Sequence, residues 1–339
     1  TILVALVIEA ARRITGWALP VIGIIFMIYA LMGARQGLIP INVPGLFLHR
    51  GFKWPKLIGH LFSNTEGIYG TSVNVSSTYI FLFIVFGEIM NKCGMGKFFN
   101  DIAIGLAGHT KGGPAKVAVI AAGLLGSING SAIANVVTTG SFTIPLMKKI
   151  GYSKEFSGAV SSTASVGGQL LPPIMGAAAF IMAETLGIKY KEIVVAAAIP
   201  ALIYYLGIIF QIQLRASKDK LDGMPKDQLP KVKETLKMYW HLTIPILFLV
   251  YMLFFSGYTV IKGAFLTILL TIIIAQLKKE TRMSLKDIEA AFVASAKSTV
   301  SVAIACACVG IVIGVSSLTG FTINMASMGT SSYQKAMSY

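Results

Sequence analysis

Apolar residues along this chain come in long runs, separated by short polar and mostly basic stretches, with no sustained two-residue alternation. Residues 1–11 read as the end of one apolar segment, closed by Arg12 and Arg13, and runs at 16–33, 67–91, 156–187, 193–214 and 291–320 approach or exceed the roughly 20 apolar residues that cross a bilayer as a helix. The stretch 241–277 is long enough for two spans, joined near Lys262 and Gly263. This pattern predicts an all-α polytopic membrane protein. The segment 34–66 is mixed, holds Pro40, Pro44, Trp54 and Pro55, and reads as interfacial. Phe98 to Leu106 is too short and too polar to span, so it reads as a helix lying near the membrane surface.

Two runs are interrupted by residues that suit lipid poorly. Within 117–147 stands "GSINGSAIANVVTTG", residues 126–140, with Gly, Ser and Asn where apolar side chains surround it. Within 156–187 stands "SSTASVGGQLLPPIMGAAAF", residues 161–180. Gly167, Gly168, Pro172 and Pro173 cannot all sit in a regular helix, because Pro removes a donor and clashes with the preceding turn. Backbone that leaves the helix at membrane depth must be buried in protein or line a wet cavity. Two interrupted segments in succession point to a transporter's binding site. Gly126, Gly130 and Ala134 at spacing four also suit a plain helix packing through small residues. Spacing alone leaves that reading open for 117–147.

Composition agrees with a membrane protein: the 339 residues are 55% hydrophobic and 13% charged, against about a quarter charged in soluble domains. The net charge of +15 would suit nucleic acid, but the basic residues sit in short loops between spans, as the positive-inside rule expects. No nucleic-acid partner is inferred; the partner implied is the bilayer. The loops 215–237 and 278–290 then face the cytoplasm, as do Arg12, Arg13 and 148–155 with Lys148, Lys149 and Lys154, while 188–192 faces outward. The segment 34–66 falls outside despite Arg35, Arg50, Lys53 and Lys56. Lys111 and Lys116 before 117–147, and Lys148 and Lys149 after it, place both flanks on one side. That makes 117–147 a re-entrant hairpin with its polar middle at the tip.

Other chemistry is sparse. Three cysteines make no disulfide framework, and Cys306 and Cys308, two apart on a helix, point in different directions. Four scattered histidines have no metal-ligand spacing, and there is no phosphate loop or dinucleotide fingerprint. Glu88 and Glu184 lie near the ends of apolar runs and read as solvated rather than functional. Trp17, Trp54 and Trp240 read as interface anchors. An intramembrane hydrolase would need a nucleophile beside a base, and no His or Asp lies at a break. A passive channel would need a ring-forming filter motif, which is absent. Neither class describes the chain as well as a transporter.

"GSINGSAIANVVTTGSFTIPLMKKIGY" followed by "FSGAVSSTASVGGQLLPPIMGAAAFIMAE" resembles the large permease subunit of tripartite ATP-independent periplasmic (TRAP) transporters. "GGPAKVAV", "NVVTTG" and "MGAAAFIMAE" resemble its TAXI branch, in which the small and large membrane subunits are fused. The resemblance runs from about Glu9 to Thr322 and is dense around 112–185. It implies an ion-transporter-like elevator fold, no enzyme activity and no cofactor beyond a coupling ion, Na⁺ or H⁺. It implies uptake of an organic anion, a carboxylate such as a dicarboxylate or an amino or keto acid, handed over by a periplasmic binding protein. The location implied is a bacterial or archaeal cytoplasmic membrane. A related carboxylate transporter without a binding protein is the alternative.

Carried over by motif, the cation- and substrate-site candidates are Ser127, Asn129, Gly130, Ser131 and Asn135 in the hairpin. In the broken helix they are Thr163, Ser165, Gly167, Gly168, Gln169, Pro172 and Pro173. Many family members have Ser after the Pro pair; Ile174 stands here, so no ligand is assigned there. The domain reading is 1–66 small-subunit-like and scaffold helices, 67–187 a first inverted repeat, 188–290 scaffold helices and 291–339 the start of a second repeat. On this reading the chain is an excerpt holding half a transport site, unable to transport alone.

Overall fold

A computed structural model describes residues 1–33, 37–39, 41, 47–225 and 229–327. Among them the architecture is helical throughout, in fourteen α-helices and one π-helical turn. Four helices are long and apolar enough to cross a membrane: Thr71–Lys92, Tyr190–Lys218, Val232–Phe254 and Leu285–Thr319. The chain divides into two compact units, 1–77 with 298–339, and 78–297. The first therefore gathers residues from both ends of the chain, a grouping that runs of hydrophobicity do not reveal.

The first unit contains α1 (Ile2–Thr15), α2 (Ala18–Leu31), α3 (Trp54–Ser63), α4 (Thr71–Val75) and the second part of α14 (Leu285–Thr319). Val4, Met27, Leu57, Leu61, Ile311 and Val315 form its core. Pro55 sits in the first turn of α3, where its missing N–H costs nothing. Within the interfacial segment 34–66, Arg35, Pro40 and Pro44 lie outside the described residues, as do 328–339 of the final segment.

The second unit carries the interrupted segments. It begins with α5 (Phe81–Lys92), entered through the π-turn Ser76–Ile80, and α6 (Met95–Ala107). Next come α7 (Gly113–Asn129) and α8 (Ala132–Ile150), then α9 (Lys154–Gly167) and α10 (Ala177–Leu186) with nine non-helical residues between them, 168–176. It closes with α11 (Tyr190–Lys218), α12 (Val232–Phe254) and α13 (Val260–Ala275). The core is built on small residues of α7, Ala115, Ala118 and Ala122, against Ala164 of α9 and Tyr205, Ile208 and Ile212 of α11. Alanine removes the bulk that would hold these helices apart. On α6, burial lifts the Asp101 carboxyl above its ordinary value and the Lys97 charge opposes that rise.

Two boundaries differ from the hydrophobicity reading. The join between α12 and α13 falls at 255–259 rather than near Lys262 and Gly263. Gly257 turns the chain at φ 69°, and the Thr259 hydroxyl accepts from the N–H of Lys262, 3.4 Å away, capping α13. Lys262 thus belongs to the first turn of α13. The polar stretch 215–237 is also shorter as a loop, since α11 runs on to Lys218 and α12 begins at Val232. Arg215 pairs with Asp219 at 2.6 Å one turn on, which supports helix past the apolar limit. Within that stretch, residues 226–228 lie outside the described residues. The described part folds back as a strap: the N–H of Gly112 donates to Leu221 O at 3.2 Å and that of Met224 to Gly108 O at 2.7 Å.

Tyr205 is the peg of this unit. Its hydroxyl donates to Ala164 O at 2.9 Å, and a Cβ at Gly123 would stand 3.2 Å from its ring. Tyr205→Phe removes one buried hydrogen bond and is expected to cost about 1 kcal/mol. Gly123→Val forces the ring aside and is expected to cost about 1–3 kcal/mol. Thermal unfolding in detergent checks both; an unchanged midpoint for Gly123→Val contradicts the close approach of α7 to α11.

Candidate functional site

The turn between α7 and α8 is assembled entirely from the polar stretch. Gly130 adopts the left-handed conformation at φ 62°, and its N–H still reaches Gly126 O at 3.0 Å. The Asn129 Oδ1 accepts from the N–H of Ser131 at 3.1 Å. The Ser131 hydroxyl accepts from the N–H of Ala134 at 3.3 Å and caps α8. Glycine is required at 130 twice over, because a Cβ there would also sit 2.5 Å from Met175 O.

Met175 belongs to the break between α9 and α10, and the turn is docked into that break. The N–H of Ile174 donates to Ser127 O at 3.1 Å. The Gln169 side chain donates from Nε2 to Gly130 O at 3.3 Å. Within the break, the N–H of Gly176 donates to Gln169 O at 2.8 Å. The Tyr190 hydroxyl donates to Ile174 O and to Pro173 O, the latter at 3.3 Å. Gly126 and Gly168 meet backbone to backbone: a Cβ on either would lie 2.6 Å from the Cα of the other. Pro172 and Pro173 bring no N–H donor to this crowded segment.

Two buried oxygens here have no hydrogen-bond partner. Asn135 is fully buried; its Nδ2 donates to Ala122 O at 2.7 Å, while its Oδ1 is unpaired. Asn135 lies against Gly126, where its Nδ2 would be 2.6 Å from an added Cβ. Ser165, one turn before Gly168, is also fully buried with its hydroxyl unpaired. Such groups are costly unless something completes their shell. The set on offer is carbonyl, amide and hydroxyl oxygen, without a carboxylate among the twelve candidate residues. Hard neutral oxygens of this kind suit a small alkali cation better than a transition metal.

The structure brings together Ser127, Asn129, Gly130, Ser131, Asn135, Gly168, Gln169 and Pro173 through the contacts above. Ser165 joins them as an unpaired buried hydroxyl. Gly167 packs instead against the rings of Tyr204 and Tyr205, with 2.4 Å between an added Cβ and Tyr204 Cε1. Thr163 has an exposed side chain, and its carbonyl accepts from the Tyr204 hydroxyl at 2.9 Å. Ile174 contributes its backbone to the dock while its side chain is buried. Sequence reasoning missed Gly126 as the partner of Gly168, and Gly176, Tyr190, Tyr204 and Tyr205 altogether. Tyrosines in an apolar helix carry one usable signal, since a buried hydroxyl in lipid surroundings needs an acceptor.

The chain is similar to known transporter permeases. The family model described as "Tripartite ATP-independent periplasmic transporter, DctM component" matches residues 2–337. A putative TRAP transporter large permease protein of Haemophilus influenzae is 27% identical over 251 residues, 73% of this chain and 56% of the relative. The C4-dicarboxylate TRAP transporter large permease protein DctM of Pseudomonas aeruginosa is 27% identical over 183 residues, 54% of this chain and 42% of the relative. The 2,3-diketo-L-gulonate TRAP transporter large permease protein YiaN of Escherichia coli is 26% identical over 175 residues, 50% of this chain and 39% of the relative. The chain thus spans about half the length of the curated relatives it matches, or less. With a match along nearly its whole length to a family of transporter permeases rather than enzymes, this multi-pass membrane chain belongs to the DctM component family of the tripartite ATP-independent periplasmic transporters.

Proposed function

We propose that this chain forms part of a TRAP-type permease that takes up an organic carboxylate, delivered by a periplasmic binding protein and driven by a sodium gradient. The observation that carries the ion site is the docked turn and break, with the unpaired oxygens of Asn135 and Ser165 buried beside it. Sodium is favoured over protons because the candidate residues offer neutral oxygens, and a proton site needs a group that titrates. A carboxylate cargo is favoured by the relatives named for C4-dicarboxylate and for 2,3-diketo-L-gulonate. The TAXI branch of binding protein and a bacterial or archaeal cytoplasmic membrane are favoured by the motifs "GGPAKVAV", "NVVTTG" and "MGAAAFIMAE".

In this reading α7 and α8 enter and leave from the cytoplasmic side, with the Gly130 turn at membrane depth. Its backbone is satisfied there by the break, as lipid surroundings demand. An elevator movement would carry the docked pair as one body. Substrate would meet a second, inverted pair in the complete transporter.

Ser165→Ala separates an ion ligand from a structural residue, because deleting an unpaired buried hydroxyl is neutral or stabilising for folding alone. In the complete permease, reconstituted with its binding protein, Ser165→Ala is expected to leave the thermal midpoint unchanged or raised. The sodium concentration for half-maximal uptake should rise by about tenfold, on the order of one lost ligand at 1.4 kcal/mol. An unchanged sodium dependence moves the ion site elsewhere, and uptake driven equally by a proton gradient overturns sodium coupling. Uptake without any binding protein would favour the alternative carboxylate transporter.

Topology has its own test. Cysteines placed at Lys116 and Lys149 are expected to be labelled from the same, cytoplasmic, side by an impermeant maleimide. Labelling from opposite faces would make α7 and α8 a crossing helix pair and remove the hairpin reading.

A further inference from the structure

A cavity of about 390 Å³ lies within the second unit, between the end of α10, the start of α11 and the 255–259 join. That volume suits a small organic molecule. Its walls are of two kinds. Phe180 and Tyr190 are stacked at 4.4 Å with ring planes 6° apart, and Tyr258 faces them from the join. Lys189 and Lys191 supply two exposed ammonium groups, and Glu184 the one acid of the lining. Among the described residues no ion pair joins Glu184 to either lysine, or either lysine to another acid. Behind the Tyr258 wall, the Lys262 ammonium sits 3.8 Å from the ring centroid. The lining thus sets two positive groups against one negative one in an aromatic-walled space, a balance that concentrates anions.

The cavity is linked to the docked turn and break by Tyr190. Tyr190 lines it while its hydroxyl holds Pro173 O and Ile174 O, and Ile174 in turn holds Ser127 O. We propose that this cavity is a carboxylate-binding vestibule, in which Lys189 and Lys191 take the carboxylate and the aromatic wall takes the carbon body. The role of that carboxylate as cargo rests on the function proposed above; its binding does not.

The test uses 4-fluorobenzoate as the probe, with its ¹⁹F line width measured on the purified permease in detergent. Broadening that benzoate competes away is expected. It should weaken by about tenfold or more in Lys189→Gln/Lys191→Gln, as two charge-assisted hydrogen bonds are lost, and return in Lys189→Arg/Lys191→Arg. Lys233→Gln, which removes an exposed lysine in the first turn of α12 that does not line the cavity, should leave it intact. Undiminished broadening in the glutamine pair overturns the proposal. So does tighter binding of 4-fluorobenzylammonium that Glu184→Gln abolishes, which would make the cavity a cation site. Normal probe binding alongside a failure of sodium-driven uptake sinks the transport reading and leaves the vestibule supported.

Discussion

The structure depends on one constraint: polar backbone inside a membrane protein must find its partners within the protein. This chain abandons helix twice in succession, at the Gly130 turn and at 168–176. Either interruption alone would strand N–H and carbonyl groups. Placed against each other, the two interruptions satisfy one another, Ile174 donating to Ser127 O and Gln169 to Gly130 O. The glycines at 126 and 168 permit the approach, since neither position has room for a Cβ. Tyr190 then closes the far side of the break. The polar residues are therefore first a solution to a solvation problem. The unpaired Asn135 and Ser165 oxygens are what that solution leaves over.

Helices long enough to cross the membrane and the location of both interruptions were legible because each has a one-dimensional cause. Apolar runs mark spans, and Gly-Gly or Pro-Pro within a run marks a loss of helix. The interlock itself is a relation between residues about forty positions apart, such as Gly126 and Gly168, and no local pattern encodes it. Both were visible as small residues, one in a packing stripe and one in a break, and each turned out to serve the other. Helix ends were the least legible. Hydrophobicity reports where lipid stops, whereas Arg215–Asp219 and the Thr259 cap show where hydrogen bonding stops.

The tyrosines show a third kind of information. Tyr190, Tyr204 and Tyr205 each spend a hydroxyl on a carbonyl of α9 or of the break that follows it. They fasten α11 to the broken helix at its two ends and tie the aromatic cavity to the same segment. In sequence their hydroxyls set them apart from neighbours such as Leu206 and Phe210, which are exposed, but do not say which way each one turns or which carbonyl it meets. Burial separates the two groups, and burial is a property of the fold.

The most direct measurement of whether the interlock holds an ion is thermal unfolding of the purified permease in detergent, with sodium chloride exchanged for choline chloride at constant ionic strength. A ligand that binds only the folded state raises stability in proportion to RT ln(1 + [L]/Kd). An ion held between the turn and the break predicts a midpoint that rises with sodium, not with choline, and a rise that is reduced when Asn135 is replaced by Leu. Equal midpoints in the two salts, or a sodium effect that survives that substitution in full, would contradict it.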